Sequence, residues 1–345
     1  MRLLQGARQL YWMWQLDRRS RTTLRQKLSC WRRGFTVQSA ALYRLDEVDQ
    51  RDFLPDFHAT HLIKPINGSL AFYQHKLAQR ALLLGAGIPQ PATVAAMWDR
   101  RIVLHPFSGR EQPVTPEALV AWLVADAGSF VIKPEDGGRG AGTYLLTNVG
   151  GSLVCRRGAS EKPFRPDDYA GRLTLIERQV EQADPWKGLF PATLNTIRAL
   201  TLWPRSAEGP FLARAMQRIG ASTTVPCDNF AGGGLAAEID ITTGRMGPAL
   251  RKLVGATPVT HHPETGAPIE GVVLPYWTDI VATVLRAARS MPMNAYVGWD
   301  VYVERAGRVL IGEASGSTDV DIYQVHRGLL TDPRVREFFQ EAGVL

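Results

Sequence analysis

Side chains able to do chemistry gather in two stretches of the chain. Lys133 stands in the apolar run VIKP, and Gly137-Gly138-Arg139-Gly140-Ala141-Gly142 follows shortly after it. Glycines let successive backbone N–H groups turn toward an anion, so such a loop can cradle phosphates. A lysine in an apolar strand also needs a charge to neutralise. The spacing is not GxxxxGK[ST], and the loop joins two expected strands instead of opening a helix, so a plain glycine-rich hairpin turn remains the alternative. The second stretch holds Asp300 in VGWDVYVE and Glu313 at the end of RVLIGE, separated by the turn Arg305-Ala306-Gly307. A hairpin would set these two carboxylates side by side. Neighbouring carboxylates repel, and a divalent cation relieves the repulsion. Oxygen ligands without His or Cys suit Mg²⁺ or Mn²⁺, not zinc. Two acids on a solvated hairpin are the plainer reading. The pairs His58/His61 and His261/His262 read as surface or turn histidines.

The elements that must position these groups follow from periodicity and punctuation. A helix is expected over 69–84, capped by Ser69 and ended by Gly85 and Gly87. A second is expected over 115–127, with Thr115 as cap and Pro116 at its first position. Short strands are expected at 129–134, 143–147 and 173–180. Beyond Asp184-Pro185 the strands lengthen, at 196–203, 211–220 and 235–241, before a helix over 277–290 and the closing hairpin. The pattern is α+β in two lobes, with a hinge near 181–188.

Composition narrows the classes. The 345 residues suffice for roughly two domains, and 45% hydrophobic with 21% charged residues excludes a largely disordered chain. No apolar run reaches the 18 or so residues of a membrane span, and Arg8 interrupts any signal-peptide core. Cys30, Cys155 and Cys227 are odd in number and lack metal spacing, which suggests reduced thiols and a cytoplasmic setting. The net charge of +7 is local. Residues 1–33 hold nine Lys or Arg against Asp17 alone, and the remainder is close to neutral. Leu3, Ala7, Leu10 and Trp14 recur at helical spacing there. This basic amphipathic segment is either a docking arm for RNA, anionic lipid or an acidic partner, or a helical layer packed on the body. The packed layer is preferred, because Trp12, Trp14 and Trp31 are groups a core would use.

From about residue 67 to 325 these motifs, taken in order, resemble the ATP-grasp superfamily, in its sugar-transfer-associated, α-L-glutamate-ligase-related branch. The resemblance implies an α+β fold of two lobes clamping ATP. It divides the chain into a basic helical segment (1–66), the first part of the core (67–115), a lid with the glycine loop (116–184) and a C-terminal part with a metal site (185–345). Lys76 resembles the first ATP lysine, Lys133 the second, and Gly137, Gly138, Arg139 and Gly140 the phosphate loop of the lid. LIERQV resembles the adenine-binding hinge strand, with Glu177 and Val180 as candidates, and Glu181 or Asp184 would hold the ribose. NTIRALTL and MQRIG supply Arg198 and Arg218 at the catalytic face, and CDNFAGGG places Asn229 near the phosphates. Asp300 and Glu313 match the metal carboxylates. Ser315 stands where asparagine is usual, with Asp319 and Asp321 near enough to compensate. His262, in HPETG, resembles a motif of this branch. The implied activity is an ADP-forming ligase using ATP and Mg²⁺ (or Mn²⁺). A carboxylate, from a small molecule or a glycan, would be activated as an acyl phosphate and passed to an amine. A nucleotide-binding interaction module without turnover and a phosphotransferase are the alternatives.

Overall fold

The computed structural model describes residues 2–68, 75–135 and 141–345. The chain opens with α1 (Arg2–Asp17), α2 (Leu24–Arg32) and α3 (Val37–Leu42). Thr23 starts α2 through a capping box with Gln26, whose side chain accepts the Thr23 N–H at 3.0 Å. Asp17 is turned inward. It accepts the Trp31 indole N–H at 2.7 Å and the Val37 N–H at 3.0 Å. Trp31 and Met13 belong to a small, largely aromatic core with Phe35, Tyr43, Phe53 and Phe57. The expectation of a packed layer therefore holds for Trp31 but not for Leu10 and Trp14, which stay about half exposed. The side chain of Leu3 lies outside the described residues.

Helix α4 runs over Lys76–Gly85; Ser69, the expected cap, lies outside the described residues. It leads into β1 (Thr93–Trp98), β2 (Arg101–Leu104) and β3 (Gln112–Val114), then α5 (Pro116–Ala125). Thr115 caps α5 by accepting the Ala118 N–H at 3.2 Å. Strands β4 (Phe130–Pro134), β5 (Tyr144–Val149), β6 (Ser152–Arg157), β7 (Ser160–Pro163) and β8 (Thr174–Arg178) complete an eight-stranded sheet of order β3-β2-β1-β8-β4-β5-β6-β7. The sheet crosses the boundary expected at 115/116, because β8 pairs with β1 on one side and β4 on the other. Its core is made by Leu119 and Leu123 of α5 against Phe130, Ile132, Leu146 and Ile176.

After α6 (Asp184–Leu189) comes a second, antiparallel sheet of β9 (Ile197–Leu202), β10 (Phe211–Ile219), β11 (Leu235–Ile239), β12 (Met246–Arg251), β13 (Tyr296–Val303) and β14 (Val309–Ser315), in the order β12-β11-β10-β9-β13-β14. One face packs on α7 (Trp277–Arg289) through Ile280, Val284 and Ala288. The other carries α8 (Asp321–Gln324) and α9 (Pro333–Glu341), through Ile322, Val335 and Phe339. Trp186 and Trp299 are fully buried, their indole N–H groups bonded to Gln217 and Thr201 at 2.9 and 2.8 Å. The N-terminal layer is tied to this lobe. Gln324 bonds both the N–H and C=O of Leu54, and Asn67 bonds the main chain of Tyr296 and Gly316.

Trp31→Ala is expected to lower the unfolding free energy by about 3–5 kcal/mol, as for other buried aromatic truncations. Trp14→Ala should stay within about 0.5 kcal/mol, as for ordinary surface changes. Chemical denaturation of the two variants checks the contrast, and equal effects would contradict the packing described.

Candidate active site

A cavity of about 970 Å³ lies between the two sheets. That is the upper end of small-molecule sites, roughly 300–1,000 Å³. Its floor on the second sheet is a row of charged side chains crossing three adjacent strands. Arg198 of β9 is the cross-strand partner of Asp300 on β13, and Asp300 is opposite Glu313 on β14. The register slips between Asp300 and Val301, which leaves Gly312 as an extra residue. Before the bulge Val309 and Ile311 point into the core; past it Ala314 does, and Glu313 and Ser315 line the cavity. The bulge is thus what places Glu313 on the face of Asp300. A Cβ at Gly312 would run into the ring of Tyr302, so the position suits glycine.

The arginines are held tightly. Asp300 Oδ1 receives Arg198 Nε at 3.0 Å and an Arg218 guanidinium N–H at 3.1 Å. Arg218 also pairs with Asp228, whose carboxylate accepts the Thr196 hydroxyl at 2.6 Å and N–H at 2.7 Å. Burial works against the Arg218 charge, but Asp228 and Asp300 outweigh it and raise its pKa above the ordinary arginine value. The same balance, with Asp300 as partner, holds Arg198 charged. Burial pushes the nearby Cys227 thiol up to about 11, so it is no thiolate at neutral pH. Asn229 lines the cavity and accepts the Ala231 N–H at 3.1 Å.

From the first sheet β4 sends Phe130 and Ile132 into the core and Val131 and Lys133 into the cavity, as strand alternation requires. Lys133 Nζ lies 2.8 Å from Glu177 Oε2, and Arg80 of α4 pairs with the same carboxylate. Burial lowers the Lys133 pKa, against the opposing pull of Glu177. One helical turn before Arg80, Lys76 Nζ donates to the Glu135 carbonyl at 2.9 Å and lies 3.8 Å from Glu313 Oε1. A single helix face therefore reaches both sheets.

Glu177, expected on the adenine-binding strand, lines the cavity. Its main chain sits between Thr93 of β1 and Val131 of β4, and its carboxylate is committed to Lys133 and Arg80 inside the sheet. Val180, Glu181 and Asp184 line the cavity past the end of β8. Asp319 and Asp321 line it too, but Asp321 is paired with Lys252. Gly137, Gly138, Arg139 and Gly140 lie outside the described residues. His262 is not in the cavity. It is buried in a turn, with Nε2 at 2.9 Å from the Gly220 carbonyl and Nδ1 accepting the Glu264 and Thr265 N–H groups at 3.2 Å. Among the described residues no group of three or more His, Cys, Asp or Glu is placed to hold a metal ion. Asp300 and Glu313 stand as a pair. Arg80 and Asp228 escaped the sequence reading, although Asp228 adjoins Asn229 in the motif that was singled out.

Two sheets thus enclose one cavity lined by lysines, arginines and carboxylates. The sequence pattern of the sugar-transfer associated ATP-grasp family matches residues 58–338, and the chain belongs to that family, with its α+β ATP-grasp fold. No curated protein matches the chain. Solved structures similar to it include N5-carboxyaminoimidazole ribonucleotide synthetase from Thermotoga maritima, at 11% identity and TM-score 0.38, covering 75% of this chain and 49% of that one. ATP-grasp ligase PsnB with a minimal precursor is 14% identical, with TM-score 0.39 and coverage of 79% and 61%. D-alanyl-alanine synthetase A from Vibrio cholerae is 11% identical, with TM-score 0.43 and coverage of 78% and 66%. The chain thus spans between about half and two thirds of the length of these proteins.

Glu177→Gln leaves Arg80 and Lys133 without their shared counter-charge in a buried setting. The variant is expected to lose about 3–5 kcal/mol of stability, the usual result of removing one member of a buried pair. Thermal or denaturant unfolding measures it, and a change within about 0.5 kcal/mol, typical of a surface site, would show the network to be dispensable.

Proposed function

We propose that the protein is an ATP-dependent, ADP-forming ligase that activates a carboxylate as an acyl phosphate and joins it to an amine. The observation that carries this reading is the meeting of Lys76, Lys133, Arg198, Arg218, Asp300 and Glu313 in one cavity. Bringing a carboxylate to a triphosphate sets anion against polyanion, so the site must be densely cationic. Lys76 and Lys133 sit to neutralise α- and β-phosphate oxygens. Arg198 and Arg218 sit to receive the transferring phosphoryl group and the acyl oxyanion, with Asn229 beside them. Val180 would offer main-chain groups to adenine, and Glu181 or Asp184 would take the ribose hydroxyls. Gly137, Gly138, Arg139 and Gly140 are assigned to the phosphates on sequence grounds alone.

Asp300 and Glu313 would hold Mg²⁺, and the Ser315 hydroxyl would be a further oxygen donor to it. A pair of carboxylates fits this ion, which commonly takes one or two from the protein and completes its shell with phosphates and water. When bound, Mg²⁺ supplies positive charge to the β- and γ-phosphate oxygens. The residues need no side-chain nucleophile, since the substrate carboxylate attacks. The carboxylate substrate is assigned to small molecules or glycans, and the setting to the cytoplasm, in keeping with three free cysteines.

Lys133→Ala and Glu313→Ala are expected to cut turnover by about two to three orders of magnitude, as removal of one transition-state donor does. Combining Asp300→Asn with Glu313→Ala should cost far less than the sum of the single changes, because both act through one ion. Ser315→Asn should keep or raise activity. ADP release against a panel of carboxylates and amines, with mass spectrometry of the products, is the measurement. Near-normal turnover in a folded Glu313→Ala variant would remove the metal assignment, and a phosphorylated product that no amine displaces would favour the phosphotransferase.

A further inference from the structure

The first 33 residues take no part in the cavity, yet they present a face of their own. Ala7, Leu10, Tyr11 and Trp14 follow one another at helical spacing along α1, Arg18 follows just past its end, and all five are exposed. Leu10, Tyr11 and Trp14 keep 47%, 60% and 49% of their surface in solvent. The rings of Tyr11 and Trp14 stack at 6.0 Å between centroids. Leu24 of α2, 66% exposed, lines the same shallow groove as Trp14 and Arg18, so the apolar patch spans both helices. Its surroundings are cationic. Arg8, Arg18, Arg19, Arg21 and Arg25 are exposed, and none of them makes an ion pair among the described residues. Asp17, the sole acid of the segment, is buried and spent on Trp31 and Val37.

A partner for this face must accept large apolar side chains and supply negative charge over the same area. Nucleic acid supplies the charge but gives Leu10 and Leu24 nothing to enter. An anionic bilayer supplies both, and Trp and Tyr settle at its headgroup level. We propose that the outer face of α1 and α2 docks the protein on an anionic lipid surface, with Leu10, Trp14 and Leu24 entering the interface and the arginines meeting the headgroups.

Co-sedimentation of the full chain with vesicles tests this. Vesicles of phosphatidylcholine and phosphatidylglycerol in equal parts should bind it, vesicles of phosphatidylcholine alone should bind it weakly, and raised salt should weaken the binding. Trp14→Ala/Leu24→Ser and Arg18→Ser/Arg21→Ser alter exposed positions and should melt like the parent. Each should lower partitioning by on the order of tenfold or more. Equal binding to both vesicle types would overturn the proposal, as would undiminished binding by the Trp14/Leu24 variant. So would tighter binding of single-stranded RNA than of mixed vesicles under the same salt. Self-association of the chain that is lost in the Trp14/Leu24 variant, with no vesicle binding, would assign the face to a second copy instead.

Discussion

One carboxylate, Asp300, sets the terms for the centre of the molecule. It is reached by two guanidiniums and stands opposite a second acid across a bulged hairpin. Asp300 and its two guanidiniums are largely removed from bulk water, and an unpaired charge there would be far costlier than a paired one. The pairs therefore depend on one another. Asp228 holds Arg218, Thr196 fixes Asp228, and Arg218 and Arg198 both meet Asp300 beside Glu313. The backbone makes this possible through a single additional residue, Gly312. In unbroken alternation Glu313 would follow Val309 and Ile311 into the hydrophobic core.

The other half of the cavity is held to this row by α4. Within two turns that helix sends Lys76 toward Glu313 on the second sheet, Gln79 to the Ala314 N–H at 3.1 Å, and Arg80 to Glu177 on the first. Any shift of one sheet relative to the other must change at least one of these contacts. Lys133 is steadied on the opposite side of the same carboxylate, so the two lysines are set by one rigid element and its partners. Pre-set charge of this kind is worth more in a water-poor cleft than the same charges would be on a mobile surface.

Much of this was legible in the sequence. The long strands of the second sheet, the helix behind them and the closing hairpin carried clean periodicity, and Asp300 and Glu313 could be paired from hairpin geometry alone. Thr115-Pro116 marked a helix start that the structure keeps to the residue. What could not be read was pairing between distant segments. That β8 lies between β1 and β4 depends on contacts between residues as distant in sequence as Thr93 and Glu177, and no local pattern encodes them. The role of Glu177 was hidden for the same reason, since only the fold brings it against Lys133 and Arg80. The short strands β2, β3 and β7 fall below the length at which alternation is distinguishable from a loop.

Arginine is used in two opposed ways in this chain, and the contrast explains how a strongly basic protein can have a nearly balanced interior. Arg80, Arg198, Arg214 and Arg218 are withdrawn from solvent, and each meets a carboxylate. Their planar, multi-donor heads suit such buried pairs better than lysine would. Among the described residues Arg8, Arg18, Arg19, Arg21 and Arg25 make no ion pair, and Asp17 beside them is turned inward. The excess of +7 is consequently concentrated in the N-terminal segment and not spread over the body. Paired charges inside the cavity cancel at a distance, whereas an unopposed patch reaches out to about a Debye length, roughly 8 Å at physiological salt. Long-range attraction to a negatively charged surface would therefore arise at this N-terminal segment, whatever the cavity holds.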